Sequence, residues 1–169
     1  MIALDILLDG TFAAIAAIGF GAISDPPKRA YPRIAILAAI GHALRYSLMH
    51  YADMDIATAS LISSFAIGMG SLGLGRRARC PLPVLYIPAL LPMIPGIYAY
   101  RTIFYLVMFL QALNEPSTGV NYMQQFLSNG IVTIGVVSML AVGATSPFFI
   151  FKHRAFSLTR KQAPKQKNE

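Results

Sequence analysis

The chain has no tryptophan, one cysteine and only seven acidic residues among 169. A lone cysteine, Cys80, closes no internal disulfide and supplies no cysteine metal site. Neither HExxH nor GxSxG occurs, and no group of His, Asp and Glu has metal-ligand spacing. The chain is therefore expected not to be an enzyme and to carry no cofactor. Charge as a whole is scarce, at 12% of residues against 56% hydrophobic ones, with a mean hydropathy of +0.58. That balance excludes an ordinary water-soluble core and describes a chain whose solvent is mostly lipid. The basic excess of 14 Lys and Arg brings no groove of interleaved aromatics, so nucleic acid is not an expected partner. Asp5 and Asp9 stand where a signal peptide would be positive, so the first segment is expected to stay in the mature protein.

What the sequence does have is long apolar runs. Ile2–Ile23, Ile34–Tyr51, Ile56–Leu74, Val84–Leu113 and Phe126–Phe151 each approach or exceed the ~20 residues that cross a bilayer. The expected fold is an all-α integral membrane protein of about five transmembrane helices. Residues 1–151 form one membrane domain, followed by a basic tail, 152–169. Lys28, Arg29 and Arg33 lie between the first two runs, and Arg76, Arg77 and Arg79 between the third and fourth. The remaining two loops hold Asp53, Asp55 and Glu115 and no Lys or Arg. By the positive-inside rule the N-terminus is outside and the tail cytoplasmic, which requires an odd number of spans.

Small residues mark how these spans meet. Ser60, Ser64 and Gly68 recur every fourth residue in the third run, and Gly135, Ser138 and Gly143 serve the fifth. Such faces let helix backbones approach closely, and packing is the expected use. In the loop before the third run, Asp55 is placed to cap the helix and Asp53 to be solvated.

Charges inside the runs are costly, at ~2.5–3.5 kcal/mol each even on insertion scales, so they face a partner or a water-filled cavity. Asp5 and Asp9 share one helical face, and His42 and Arg45 share another. At ~1.5 Å per residue, Asp9 and Arg45 both lie about 10 Å below the outer surface, with His42 a turn deeper. Either Asp9 and Arg45 form an ion pair that glues two helices, or they share their charges with a substrate or proton path.

The fourth run, "YIPALLPMIPGIYAYR", contains Pro88, Pro92, Pro95 and Gly96. Proline removes a backbone donor and clashes with the preceding turn, so Pro92 and Pro95 are expected to break this span near its middle, with Gly96 permitting the change of direction. Broken helices of this kind hold substrate sites in transporters, because the new half-helix N-terminus is electropositive. Arg101 lies one turn into that second half.

The stretches "IGHALR" and "LLPMIPGIYAY", with "NEP", "SNG" and a basic end, resemble the threonine/serine exporter family, and more closely its small-subunit (YjjB-like) branch, over residues 5–155. That resemblance implies a transporter domain equal to the C-terminal half of the fused exporters, working with a separately encoded larger membrane subunit in the bacterial inner (plasma) membrane. It also implies export of threonine and serine, or of dicarboxylates such as succinate, driven by the proton gradient. Asp9, His42, Arg45, Pro92, Pro95, Gly96, Tyr100 and Asn129 match family-like positions, whereas Arg101 departs from them. The resulting expectation assigns Asp9 and His42 to proton coupling. Arg45, Pro92, Pro95, Gly96, Tyr100, Arg101 and Asn129 are assigned to a small carboxylate substrate. The alternative is a non-transporting assembly subunit, possible also as an oligomer, whose charges only hold a complex together.

Overall fold

The computed structural model describes residues 2–78 and 80–151. Among them every regular element is helical: α1 (Ile2–Ile23), α2 (Tyr31–Tyr51), α3 (Ile56–Ala78), α4 (Leu82–Leu90), a 3-10 turn (Leu91–Met93), α5 (Gly96–Gln111) and α6 (Pro116–Ile150). The all-α expectation stands. The basic tail 152–169 lies outside the described residues.

Local chemistry explains the boundaries. Prolines occupy the first turn of α2, α4 and α6, where the missing N–H has no intrahelical partner to lose. Asp25, with φ 41°, turns the chain after α1, and Asp53, with φ 46°, does so after α2. Aspartate tolerates this left-handed region better than most residues. At the start of α3 the Asp55 carboxylate accepts the Thr58 N–H at 2.9 Å, the cap expected from sequence. That hydrogen bond holds the Asp55 carboxyl below its usual range. A carboxyl held low contributes stability above its unfolded-state pKa and loses it as pH falls through the lowered value. Because Asp55 is exposed, Asp55→Ala should lower the melting temperature by no more than roughly 4 °C. The difference should vanish in melts taken at strongly acid pH.

The core is built around the short α4. Leu85, Ala89 and Met93 share one buried cluster with Ile34, Leu37 and Ala38 of α2, Ile67 of α3, Ala17 of α1, and Val136 and Leu140 of α6. The closest crossing joins α3 to the second half of α6. A Cβ at Gly68 would lie 2.5 Å from the Ala144 carbonyl oxygen, and one at Gly143 would lie 2.6 Å from that of Leu61. The Ser64 hydroxyl, which hydrogen-bonds back to Leu61, also reaches the Met139 carbonyl across the crossing. The expected Ser64, Gly68 and Gly143 packing is thus present. Gly135 and Ser138 stand apart from it: Ser138 is exposed, and Gly135 has open space where a side chain would go.

The fourth run is divided at Ile94 and Pro95, within the proline stretch where a break was expected, with the helical axis bent by 55°. One boundary differs from the sequence expectation. The last helix begins ten residues before Phe126, at Pro116, because Ser, Thr, Asn and Gln in that stretch are helix-compatible although not apolar. α5 packs principally against the first half of α6 and contains no buried residue. Three helices, α1, α3 and α6, are long and apolar enough by themselves to cross a membrane; Leu82–Met93 and Gly96–Gln111 pass the same test only together, as one broken span or a re-entrant loop. α2 has the length, 21 residues, but carries Arg33, His42 and Arg45.

Candidate functional site

The internal charges converge where α1, α2 and the proline break meet. Gly10 sets the first approach: a Cβ there would lie 3.1 Å from the Ala39 carbonyl oxygen. α1 therefore comes close to α2 one residue after Asp9 and three before His42. Gly41 sets the second. A Cβ on it would collide with the Ile67 side chain and lie 3.9 Å from the Met93 sulfur, so α2 can settle against both α3 and the break.

Between these contacts the His42 Nδ1 lies 3.2 Å from the Asp9 carboxylate. The imidazole is buried while the carboxylate is 39% exposed. One edge of the pair is therefore open to whatever fills the space outside. On the other edge, His42 Nε2 is buried with no hydrogen-bond partner, although the Pro92 carbonyl lies nearby. A proton on Nε2 would have that carbonyl as its acceptor.

Arg45 does not form the ion pair with Asp9 that their shared depth suggests. Its Nη1 donates to the Met93 carbonyl at 2.7 Å, and it stays within electrostatic reach of Asp9 and His42. The reason lies in the break. Pro95 and the turn at Ile94 end the helical ladder, leaving the Met93 carbonyl without the amide donor a continuing helix would supply. A guanidinium on a long side chain satisfies it. The break and the charges thus form one constellation of Asp9, His42, Arg45, Pro92, Met93 and Pro95.

The second half-helix begins at Gly96, the residue expected to permit the change of direction. Its amides are already partly used. The Gly96 N–H donates to Ile94 O, and those of Tyr98 and Ala99 donate to Pro95 O. The remaining sequence-derived candidates are not gathered at the break. Tyr100 and Arg101 are on the exposed surface of α5, where Tyr100 stacks on Phe104. No hydrogen bond or ion pair reaches Arg101 among the described residues. Asn129 is buried on α6, its amide donating to the Gln125 carbonyl at 2.7 Å. Sequence reasoning missed Met93, whose contribution is a backbone oxygen. The proline spacing on either side of it was the signal that could have found it. Two further buried hydroxyls without partners, Ser60 and Ser63 on α3, gave no signal beyond small size.

An apolar helical bundle with a carboxylate, an imidazole and a guanidinium collected at a broken helix has the construction of a membrane transport protein. Residues 9–150 match the family described as "Threonine/Serine exporter, ThrE", and the chain belongs to that family. A protein of Haemophilus influenzae, described as uncharacterized, is 32% identical over 153 residues. The match covers 88% of this chain and 48% of the relative, so the chain spans about half the length of the relative it matches. No solved structure matches the chain.

Proposed function

We propose that this chain is the small-subunit half of a secondary exporter in the bacterial inner membrane. It moves small carboxylate-bearing metabolites outward, threonine and serine or dicarboxylates such as succinate, in exchange for protons and together with a larger membrane subunit. The observation that carries this reading is the Asp9–His42 pair set beside Arg45 at the proline break. An imidazole in contact with a carboxylate that is open on one side can take up and release a proton. Arg45 is the natural anchor for a substrate carboxylate, which would compete with the Met93 carbonyl for the guanidinium. Tyr100, Arg101 and Asn129 are proposed to line the outer part of the path on α5 and α6. Family membership and the half-length match to the relative support the exporter role and the need for a second part.

In this reading α2 is a fifth span. Its polar groups are tolerated because α1 and the break satisfy them. The N-terminus is outside and the tail cytoplasmic. Cys80 cannot report this orientation, because it is only 1% exposed. Cysteines placed at exposed loop positions can. With Cys80→Ala as background, Asp53→Cys and Glu115→Cys should be labelled by an impermeant maleimide on intact cells. Lys28→Cys should be labelled only after permeabilisation. The reverse pattern would invert the topology.

Transport itself is tested by reconstitution with and without the larger subunit, measuring counterflow of labelled threonine, serine and succinate. Counterflow that requires both chains and is driven by an imposed pH gradient is expected. If the pair assembles but moves none of the three, the carboxylate reading is wrong and the structural-subunit alternative takes its place.

A further inference from the structure

The first half of α6 carries a polar stripe. Ser117, Asn121, Gln124, Gln125 and Ser128 are all exposed. At 100° per residue they fall within about a third of the helix circumference. They lie on the side away from α5, since Gly119 approaches Ala112, just past the end of α5, and Gly130 approaches Thr102 of α5 from the opposite side. Along the same stretch α5 turns Ile97, Ile103, Phe104, Val107 and Leu110 outward, each 44–62% exposed.

That α5 face is suited to lipid and not to water. α6 is one unbroken helix of 35 residues. Its first half therefore cannot lie flat on the surface while its second half crosses beside α3. At about 52 Å it fits the ~40–45 Å of a bilayer with its headgroups when tilted by about 35°. The stripe then runs from the outer headgroups toward the midplane, where lipid offers nothing to an amide or hydroxyl.

We infer that this stripe is the docking surface for a transmembrane helix of the exporter's other half, one presenting amide, hydroxyl or carboxylate groups. The inference rests on the two-part exporter reading above. The occupant follows from length: the 32% identical relative is about twice as long as its matched portion. In that relative the homologous stretch is therefore made joined to a second portion of similar size. A helix lying permanently beside α6 fits this better than a passing contact, because interhelical polar contacts are modest singly and effective as a row.

The full chain, Cys80→Ala, is co-expressed with the larger exporter subunit of its own organism. Single cysteines are placed at Asn121 or Ser128 on the stripe, and at Leu127 or Ile134 off it. A benzophenone attached to these cysteines through a maleimide should photo-crosslink the larger subunit from the stripe positions and not from the others. The combined variant Asn121→Leu, Gln124→Leu, Ser128→Leu should weaken association about 27-fold, roughly threefold per lost contact. It should leave the melting of the chain alone unchanged. Links between two copies of this chain would overturn the assignment in favour of self-association. If the pair assembles and transports while stripe cysteines stay reactive to water-borne maleimide, the stripe lines an aqueous path and the surface is wrong though the exporter reading stands. If the larger subunit neither associates nor confers counterflow, the exporter reading itself fails.

Discussion

Leucine at Gly68 or Gly143 is expected to abolish the detergent-stable folded protein, the largest stability effect anywhere in the chain. At Gly68 the first added carbon would sit 2.5 Å from the Ala144 carbonyl oxygen and 3.0 Å from the Pro147 ring. At Gly143 it would meet the Ser64 hydroxyl, the Leu61 carbonyl and, at 3.1 Å, the Phe65 amide nitrogen. Backbone atoms of a neighbouring helix cannot rotate away as a side chain can, so α3 and α6 must separate. Even alanine should cost about 1–3 kcal/mol at either site. Gly73 and Gly135 provide the comparison, because nothing lies within 4 Å of a Cβ at either position. Alanine there should be neutral or stabilise by up to ~1 kcal/mol through helix propensity. Thermal melting followed by size-exclusion profiles decides it. Equal melting of Gly68→Ala and Gly73→Ala would show that the crossing is looser than these distances require.

The largest functional effect is expected at the proton pair. Asp9→Asn and His42→Gln should each reduce counterflow and pH-driven efflux at least about tenfold. Their combination should cost little more than either alone, since the two groups act through one contact. Arg45→Gln differs in kind. It removes the donor of the Met93 carbonyl as well as a charge, so both melting temperature and transport should fall. Pairing Asp9→Asn with Arg45→Gln should therefore not restore assembly, as it would if those two formed a neutral pair. Additive losses for Asp9 and His42, or rescue of Arg45→Gln by Asp9→Asn, would favour an Asp9–Arg45 ion pair over the Asp9–His42 contact.

How far the site was legible can be followed through the same residues. Depth along a helix is readable from residue counts, and it correctly brought Asp9 to the level of the α2 charges. Azimuth and reach are not. His42 takes the carboxylate because α1 presses on α2 at Gly10 and Ala39, while the longer Arg45 side chain extends to the break. The break was legible from proline chemistry, and so was the start of its second half. Its consequence for hydrogen bonding was not, because the group that needs Arg45 is a main-chain oxygen whose identity as Met93 no side-chain pattern encodes. Helix existence followed from hydropathy. The first ten residues of α6 did not, since an apolar criterion passes over polar residues that continue a helix. Tyr100, Arg101 and Asn129 were placed near the break by sequence proximity or family likeness. The 55° bend and the pairing of α5 with α6 carry them elsewhere.

The break also constrains how the protein is made. The segment from Leu82 to Met93 extends about 18 Å and α5 about 24 Å, so neither alone covers the ~30 Å hydrocarbon layer. In the five-span reading, insertion machinery that hands over one segment at a time cannot release either as a finished span. The two halves have to enter joined, or α5 has to wait for α6. The Met93 carbonyl then stays without its native donor until α2 is already alongside to supply Arg45. Membrane entry of this region is thereby tied to chain segments on both sides of it, and α2 serves as the template on which the bend is set.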